Sequence, residues 1–305
     1  MHKPNLWRRW QLVLVAMIAL GIFASLNRPA PLISEVRSNV PEQMSTTADS
    51  DSALAELNIP EDSTLYAGTM SGMNPMGEWF TGMPVQYALW EGVPLIEGDI
   101  LVKLDEPSQA GLGVRDLNFL WKGGIVPYEV DRNLPASLRV YDAIRHWEEK
   151  TPLRFVERTS ANASQYPDYI VFKPGNGCSS YVGRIGGAQP INLALACSTG
   201  NTIHEIGHAV GLWHEHSRAD RDSYVDVVFE NIIPQMAFNF NKQISDGQDI
   251  GAYDYDSIMH YPRWAFSRNG KDTIIPKGDQ TIGQRQTLSE GDIAAILSLY
   301  HAELK

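Results

Sequence analysis

The stretch HEIGHAVGLWHEH, His204 to His216, holds four of the chain's eight histidines. Its spacing limits what the chain can fold into more than any other feature does. Residues four apart lie on one face of a helix, so His204 and His208 aim two imidazoles at the same place. Zinc takes imidazole nitrogen at about 2.0–2.1 Å in tetrahedral geometry, with one position left open when the site is catalytic. Gly211 tolerates the left-handed conformation that ends a helix, which lets the chain turn back and present His214 as a third ligand. The expectation is one Zn2+ per chain. His216 falls outside this pattern and is expected to be solvated or to support the ligands.

Glu205 is rotated about 100° around the helix from His204, within reach of a metal-bound water without being a ligand. Zinc lowers the pKa of that water, and a carboxylate takes its proton during attack on a carbonyl and then passes it to the leaving amine. This is the chemistry of peptide hydrolysis. A chance HExxH in a chain of this composition has odds of about one in a hundred, and requiring the further Gly and His lowers them about 500-fold.

The surrounding 305 residues bury at least one substantial core, and a net charge of −11 with scattered basic residues argues against a nucleic-acid partner. The N-terminus has the layout of an export signal: Lys3, Arg8 and Arg9 precede an apolar run from Leu12 to Leu26. That run is short for a membrane span of about 20 residues, and Ile22-Phe23-Ala24 offers a cleavage site. Residues 1–26 are thus read as a signal peptide or a signal anchor, and the protein as secreted or extracytoplasmic, membrane-bound only if the segment stays uncleaved. Outside the cytoplasm the two cysteines, Cys178 and Cys197, favour one bridge over two buried thiols.

From Asn27 to about Ala53 the chain reads as a polar tether, and from Leu65 to Leu104 as a small β-like unit. The polar segment Asp105 to Asp116 looks open to proteolysis. Strands are expected at Val126–Val130, Leu153–Glu157, Asp168–Pro174 and Ile191–Ala196. A helix before Pro152 should bury Leu138, Tyr141, Ile144 and Trp147. A terminal helix opening at Ser289 and Asp292 should bury Ile293, Ile296, Leu297 and Tyr300.

HEIGHAVGLWHEHSRADRD, His204 to Asp222, and SIMHY, Ser257 to Tyr261, resemble the extended zinc motif and Met-turn of the astacin-family metallopeptidases, within the metzincins. The likeness extends from about Leu120 through DIAAILSLY. It implies an α+β fold: a twisted mixed sheet with an active-site helix in the N-terminal half, a cleft, and a mostly irregular C-terminal half ending in a helix. It also implies His204, His208 and His214 as zinc ligands, Glu205 as general base and Met259 as an apolar floor under the metal. Tyr261 would be a distant ligand that swings away to stabilise the oxyanion. Glu215 would contact the new N-terminus of the activated enzyme, with Arg218, Asp220, Arg221 and Asp222 as a charge network. Cys178 and Cys197 match one family disulfide. Arg285 is a candidate basic contact in the pocket after the scissile bond, with an exposed loop arginine as the bland alternative. Substrate would run antiparallel along an edge strand, taken as Ile191 to Ala196.

LIEGDIL, Leu95 to Leu101, resembles the family's prosegment motif FxGD, with Ile96 in place of phenylalanine. Asp99 would bind zinc in place of water and keep the enzyme latent. The plainer reading is a turn between two strands. The chain is then divided into residues 27–112, tether and inhibitory prosegment, and 113–305, catalytic domain. Its partners would be protein or peptide substrates and an activating protease. A non-catalytic exported zinc-binding adhesin on the same fold, or a hydrolase of another amide, would share the zinc ligands.

Overall fold

The computed structural model describes residues 66–73, 79–90, 92–102, 119–243 and 247–304. The signal segment, the tether and the link at 105–116 lie outside the described residues. Four strands come first: β1 (Tyr66–Met73), β2 (Trp79–Trp90), β3 (Val93–Ile96) and β4 (Ile100–Leu101). They pair antiparallel in sequence order, as expected for a β-like unit. Next come β5 (Ile125–Val130), helix α1 (Leu138–Lys150), β6 (Arg154–Glu157), β7 (Tyr169–Pro174), β8 (Cys178–Ser180) and β9 (Ala188–Leu193). The histidine helix is α2 (Thr199–Ala209). Past it the chain is mostly short 3-10 turns with one two-stranded ribbon, β10 (Val225–Val227) and β11 (Ile274–Pro276), and it closes on α3 (Glu290–Leu299). The expected α+β fold class, with a regular N-terminal half and an irregular C-terminal half ending in a helix, is what the structure has.

The main sheet runs β1-β2-β3-β4-β8-β9-β7-β5-β6. Strands β5, β6, β7 and β9 are mutually parallel, and β8 is antiparallel to β9. This corrects the expected substrate strand. The strand near Ile191 begins three residues earlier, at Ala188, ends at Leu193 and lies between β7 and β8. Its start looked like a turn because of Gly186, Gly187 and Pro190. Pro190 is tolerated because the β8 pairing reaches only from Ile191 to Leu193. The strand that borders the cleft is the three-residue β8, against which β4 pairs in parallel at Ile100 and Ser180.

Two helix faces also differ from expectation. Helix α1 buries Val140, Ala143, Ile144 and Trp147, the i, i+3, i+4, i+7 set, while Leu138 is 75% and Tyr141 38% exposed. In α3, Leu297 is 48% exposed and Leu299 is buried instead. In α1 the expected stripe is out of phase, since Leu138 and Tyr141 lie off the face that Val140 and Ala143 complete, whereas in α3 Leu297 falls outside the buried face.

Helix α2 is fixed at every exposed end. Ser198 and Asn201 form a reciprocal capping box at its N-terminus. At its C-terminus four carbonyls would be left without partners. Leu212 N–H donates to Gly207 O, Gly183 and Gly211 N–H to His208 O, the Trp121 indole to Ala209 O at 2.8 Å, and the Tyr300 hydroxyl to Val210 O at 3.1 Å. The Trp147 indole, from α1, reaches Ile203 O at 3.1 Å. Cys178 and Cys197 are joined as expected, tying β8 to the residue before the α2 cap.

The tightest approach in this scaffold is at Gly200, where an added Cβ would lie 1.7 Å from the Arg285 carbonyl oxygen; at Gly177 it would meet nothing within 4 Å. Because the neighbour at Gly200 is backbone, α2 itself would have to move. Gly200→Ala is expected to cost about 2 kcal/mol or more, lowering the melting temperature by at least about 4 °C. Gly177→Ala should leave it within about 1 °C, and calorimetry of the two variants checks the contrast.

Candidate active site

His204 and His208 lie one turn apart on α2. Gly211, at φ 110°, reverses the chain so that His214 faces them, with ring centroids 5.2 Å from His204 and 4.7 Å from His208. All three rings are buried. Each is oriented through Nδ1: His204 to Ile258 O at 2.8 Å, His208 to Leu212 O at 2.8 Å, and His214 to the Glu97 carboxylate at 2.8 Å. Their Nε2 atoms therefore converge, and Asp99 joins them. One carboxylate oxygen lies 3.3 Å from His204 Nε2, the other 3.6 Å from His208 and 3.3 Å from His214. The four ligand atoms lie within 4.8 Å of one another.

This donor set suits zinc. Three imidazole nitrogens and one carboxylate oxygen make four ligands of the kinds zinc prefers. His208 Nε2, His214 Nε2 and one Asp99 oxygen are buried with no hydrogen-bond partner in the protein. Buried polar atoms left so are costly unless a cation takes them.

Asp99 stands in the turn between β3 and β4, so LIEGDIL does form the turn, and that turn carries the carboxylate to the three histidines. Gly98 is required there. Its φ is 78°, and a Cβ would lie 2.6 Å from the Phe266 ring. Burial raises the Asp99 pKa, but the opposing charge of His214 and hydrogen bonds from His204, His208 and His214 leave it well below the usual carboxylate range.

Glu205 is buried, and its Oε2 has no hydrogen-bond partner. Burial first, and then the Asp99 charge, push its pKa well above the ordinary value, while Arg285 pulls it down. Met259 is buried against α2, its sulfur 2.6 Å from where a Cβ on Gly207 would stand. Tyr261 donates its hydroxyl to the backbone carbonyl of Glu97. Arg285 is half-buried and donates Nη1 to Ile258 O at 2.7 Å and to His260 O at 3.0 Å. It thus shares the carbonyl that orients His204.

Several participants escaped sequence reasoning. His216 is fully buried, so its solvated reading is corrected: its ring stacks on Tyr261 at 3.7 Å, and Nε2 lies 3.0 Å from Asn239 O. Asp292 does more than cap α3, accepting from Ser257 Oγ at 2.7 Å and Ile258 N at 2.9 Å beneath the Met-turn. Glu97 carried no signal beyond its place beside Asp99. The charge network is present, with Arg218 bound to Asp220 at 2.9 Å, Arg221 to Asp222 at 3.1 Å and Lys242 to Asp222 at 2.6 Å. Glu215 accepts from Asp254 N at 2.7 Å and lines a cavity with Trp213, Arg218 and Gln243.

Comparison with known proteins bears on this geometry. The family model described as Astacin, a peptidase family, matches residues 113–301. The chain belongs to the astacin family. High choriolytic enzyme 1, a hatching enzyme zinc-protease from Oryzias latipes, is a similar solved structure, with 39% identity and a TM-score of 0.55, covering 60% of this chain and 95% of that one. Tolloid-like protein 2 of Homo sapiens is 45% identical over 194 residues, 59% of this chain and 19% of the relative. Zinc metalloproteinase nas-6 of Caenorhabditis elegans is 38% identical over 230 residues, 71% of this chain and 65% of the relative. The chain spans less than a third of the length of its tolloid-like and bone morphogenetic relatives, 19% in one case and 30% in another. The matched domain is a zinc metalloendopeptidase domain. Among the described residues, no helix is long and apolar enough to cross a membrane.

The astacin domain also carries a pH-sensitive element beside the site. His260 is held neutral chiefly by burial, which overcomes its hydrogen bond to the Tyr261 carbonyl, with repulsion from Arg285 and His214 acting in the same direction as burial, and its pKa falls from 6.5 to about 4. Between those values the unfolded chain binds the proton and the folded one does not, so stability rises with pH there and is lost as pH falls toward 4. The loss amounts to roughly 3 kcal/mol. Denaturant unfolding across pH 4–7 should show this slope, and His260→Gln should flatten it.

Proposed function

We propose that this astacin is an exported endopeptidase made as a zymogen, with His204, His208 and His214 holding zinc, Glu205 as general base and Asp99 as latency ligand. Zinc bound there supplies Lewis acidity for the scissile carbonyl and the attacking water. Glu205 takes the proton of that water and returns it to the leaving amine. Its unpaired, buried Oε2 supports this role. Tyr261, freed from the Glu97 carbonyl, donates its hydroxyl to the developing oxyanion. Met259 closes the floor beneath the histidines.

The observation that carries the zymogen reading is the Asp99 carboxylate, 3.3–3.6 Å from all three Nε2 atoms. It fills the position that substrate and water need, and its charge also biases Glu205 toward the protonated state in which it is no base. Activation is a cut in the link between about Asp105 and Asp116, separating residues 27–112 from a catalytic domain of 113–305. The cavity beside Glu215 receives the new N-terminus. The activating agent is another protease, and the substrates are proteins or peptides. Export rests on the charged and apolar N-terminal segment, residues 1–26, and agrees with a disulfide between Cys178 and Cys197. If residues 1–26 are retained, they anchor the protein to a membrane.

Purified chain lacking residues 1–26 is expected to cleave an unstructured protein only after limited trypsin treatment. A zinc chelator should abolish that activity, and Glu205→Ala should lower kcat by about 10²–10⁴-fold while zinc stays bound. Equal activity before and after trypsin would sink the zymogen reading, and zinc binding without any cleavage would sink the peptidase reading. Arg285, as the basic contact after the scissile bond, is tested with paired peptides. Arg285→Gln should lower kcat/KM about tenfold or more for Asp or Glu after the cut relative to Ala, whereas an equal loss on both peptides assigns it to holding Ile258 alone.

A further inference from the structure

Two of the three histidines find the acceptor for their outer nitrogen inside the catalytic domain, on the Ile258 and Leu212 carbonyls. The third does not. His214 Nδ1 meets Glu97 Oε2 at 2.8 Å, across 117 residues of sequence, and both side chains are 1% exposed or less. Glu97 sits in the same turn as Asp99, so the turn grips His214 from both sides, Asp99 at Nε2 and Glu97 at Nδ1.

The turn is built to seat this carboxylate. Glu97 adopts a left-handed φ of 49°, a conformation that is unfavourable for a non-glycine residue and persists where the surroundings enforce it. Three contacts enforce it here: the His214 bond, a hydrogen bond from Gln243 Nε2 to Oε1, and the Tyr261 hydroxyl on the backbone carbonyl. Both carboxylate oxygens are therefore used, and the charge is not left alone in the interior.

We infer that Glu97 is a positioning residue for the zinc ligand His214, supplied by the segment that activation removes, so that the unprocessed chain holds zinc more tightly than the processed domain. A carboxylate accepting Nδ1–H fixes the tautomer whose Nε2 lone pair faces the metal and makes that nitrogen a stronger donor. Loss of such a partner typically costs 10–100-fold in metal affinity. Asp99 contributes as a ligand and Glu97 through His214, so the two effects separate by substitution. The inference rests on the zymogen reading for which segment is lost, but not for the contact itself.

The test is zinc retention, read by transfer to a chromophoric chelator from the full unprocessed chain. Glu97→Ala is expected to weaken retention 10–100-fold, and Glu97→Gln, which keeps an acceptor for Nδ1–H, to recover a large part of that loss. Asp99→Asn gives the effect of the direct ligand alone. If Glu97→Ala does not fold, the wild-type chain before and after cleavage in the link replaces it, and the processed domain should lose at least tenfold more than Asp99→Asn does. Retention within twofold of wild type in folded Glu97→Ala, or a processed domain equal to Asp99→Asn, overturns the inference. Activity is scored separately. Weakened retention in Glu97→Ala together with full activity before processing would end the zymogen reading and leave the role of Glu97 standing.

Discussion

The domain is arranged around keeping three imidazole nitrogens aimed at one point. A helix delivers two of them by periodicity alone. The third needs a chain reversal at Gly211, and a reversal holds only if the carbonyls it exposes are paired. The pairing comes from Trp121, Gly183, Tyr300 and the turn itself, residues scattered along the sequence, so the core and the site are one construction. The Met-turn follows the same logic: Asp292 and Arg285 hold its backbone from opposite sides, and the Ile258 carbonyl passes that order to His204.

The sequence exposed what local periodicity and motif spacing encode. Helix α2, its facing histidine pair, the glycine reversal, the capping box at Ser289 and the buried Ile144 and Trp147 of α1 were legible because each depends on residues within one or two turns. The fold class followed from the two long motifs. What stayed hidden was set by neighbours distant in sequence. Three residues at β8 carry little strand signal, so the longer run at Ile191 looked like the edge. The helix faces failed where apolar residues outnumber the buried positions: Leu138 and Tyr141 in α1 and Leu297 in α3 are exposed, and only the packing against the rest of the domain decides which are covered. His216 looked spare because nothing nearby in sequence reveals that Tyr261 will lie 3.7 Å from its ring.

Glu97 and Asp99 show how a motif hides its own mechanics. The segment reads as a latency ligand with a plain turn as the alternative; it forms the turn, and that turn brings Asp99 beside the three histidines. The turn needs glycine at position 98 because of a positive φ and the Phe266 ring, and that same turn sends two carboxylates to opposite nitrogens of one imidazole. Neither demand is visible without the other half of the molecule.

The pairing of β4 with β8 is parallel, opposite to the direction expected of a substrate strand, so the resident hairpin offers its backbone reversed at the point where a bond would be cut. Under the zymogen proposal, an occupant in that orientation is not presented for cleavage, and covalent attachment would hold it at an effective concentration that dilution cannot lower. Cutting the link would remove that concentration and let the segment leave by mass action.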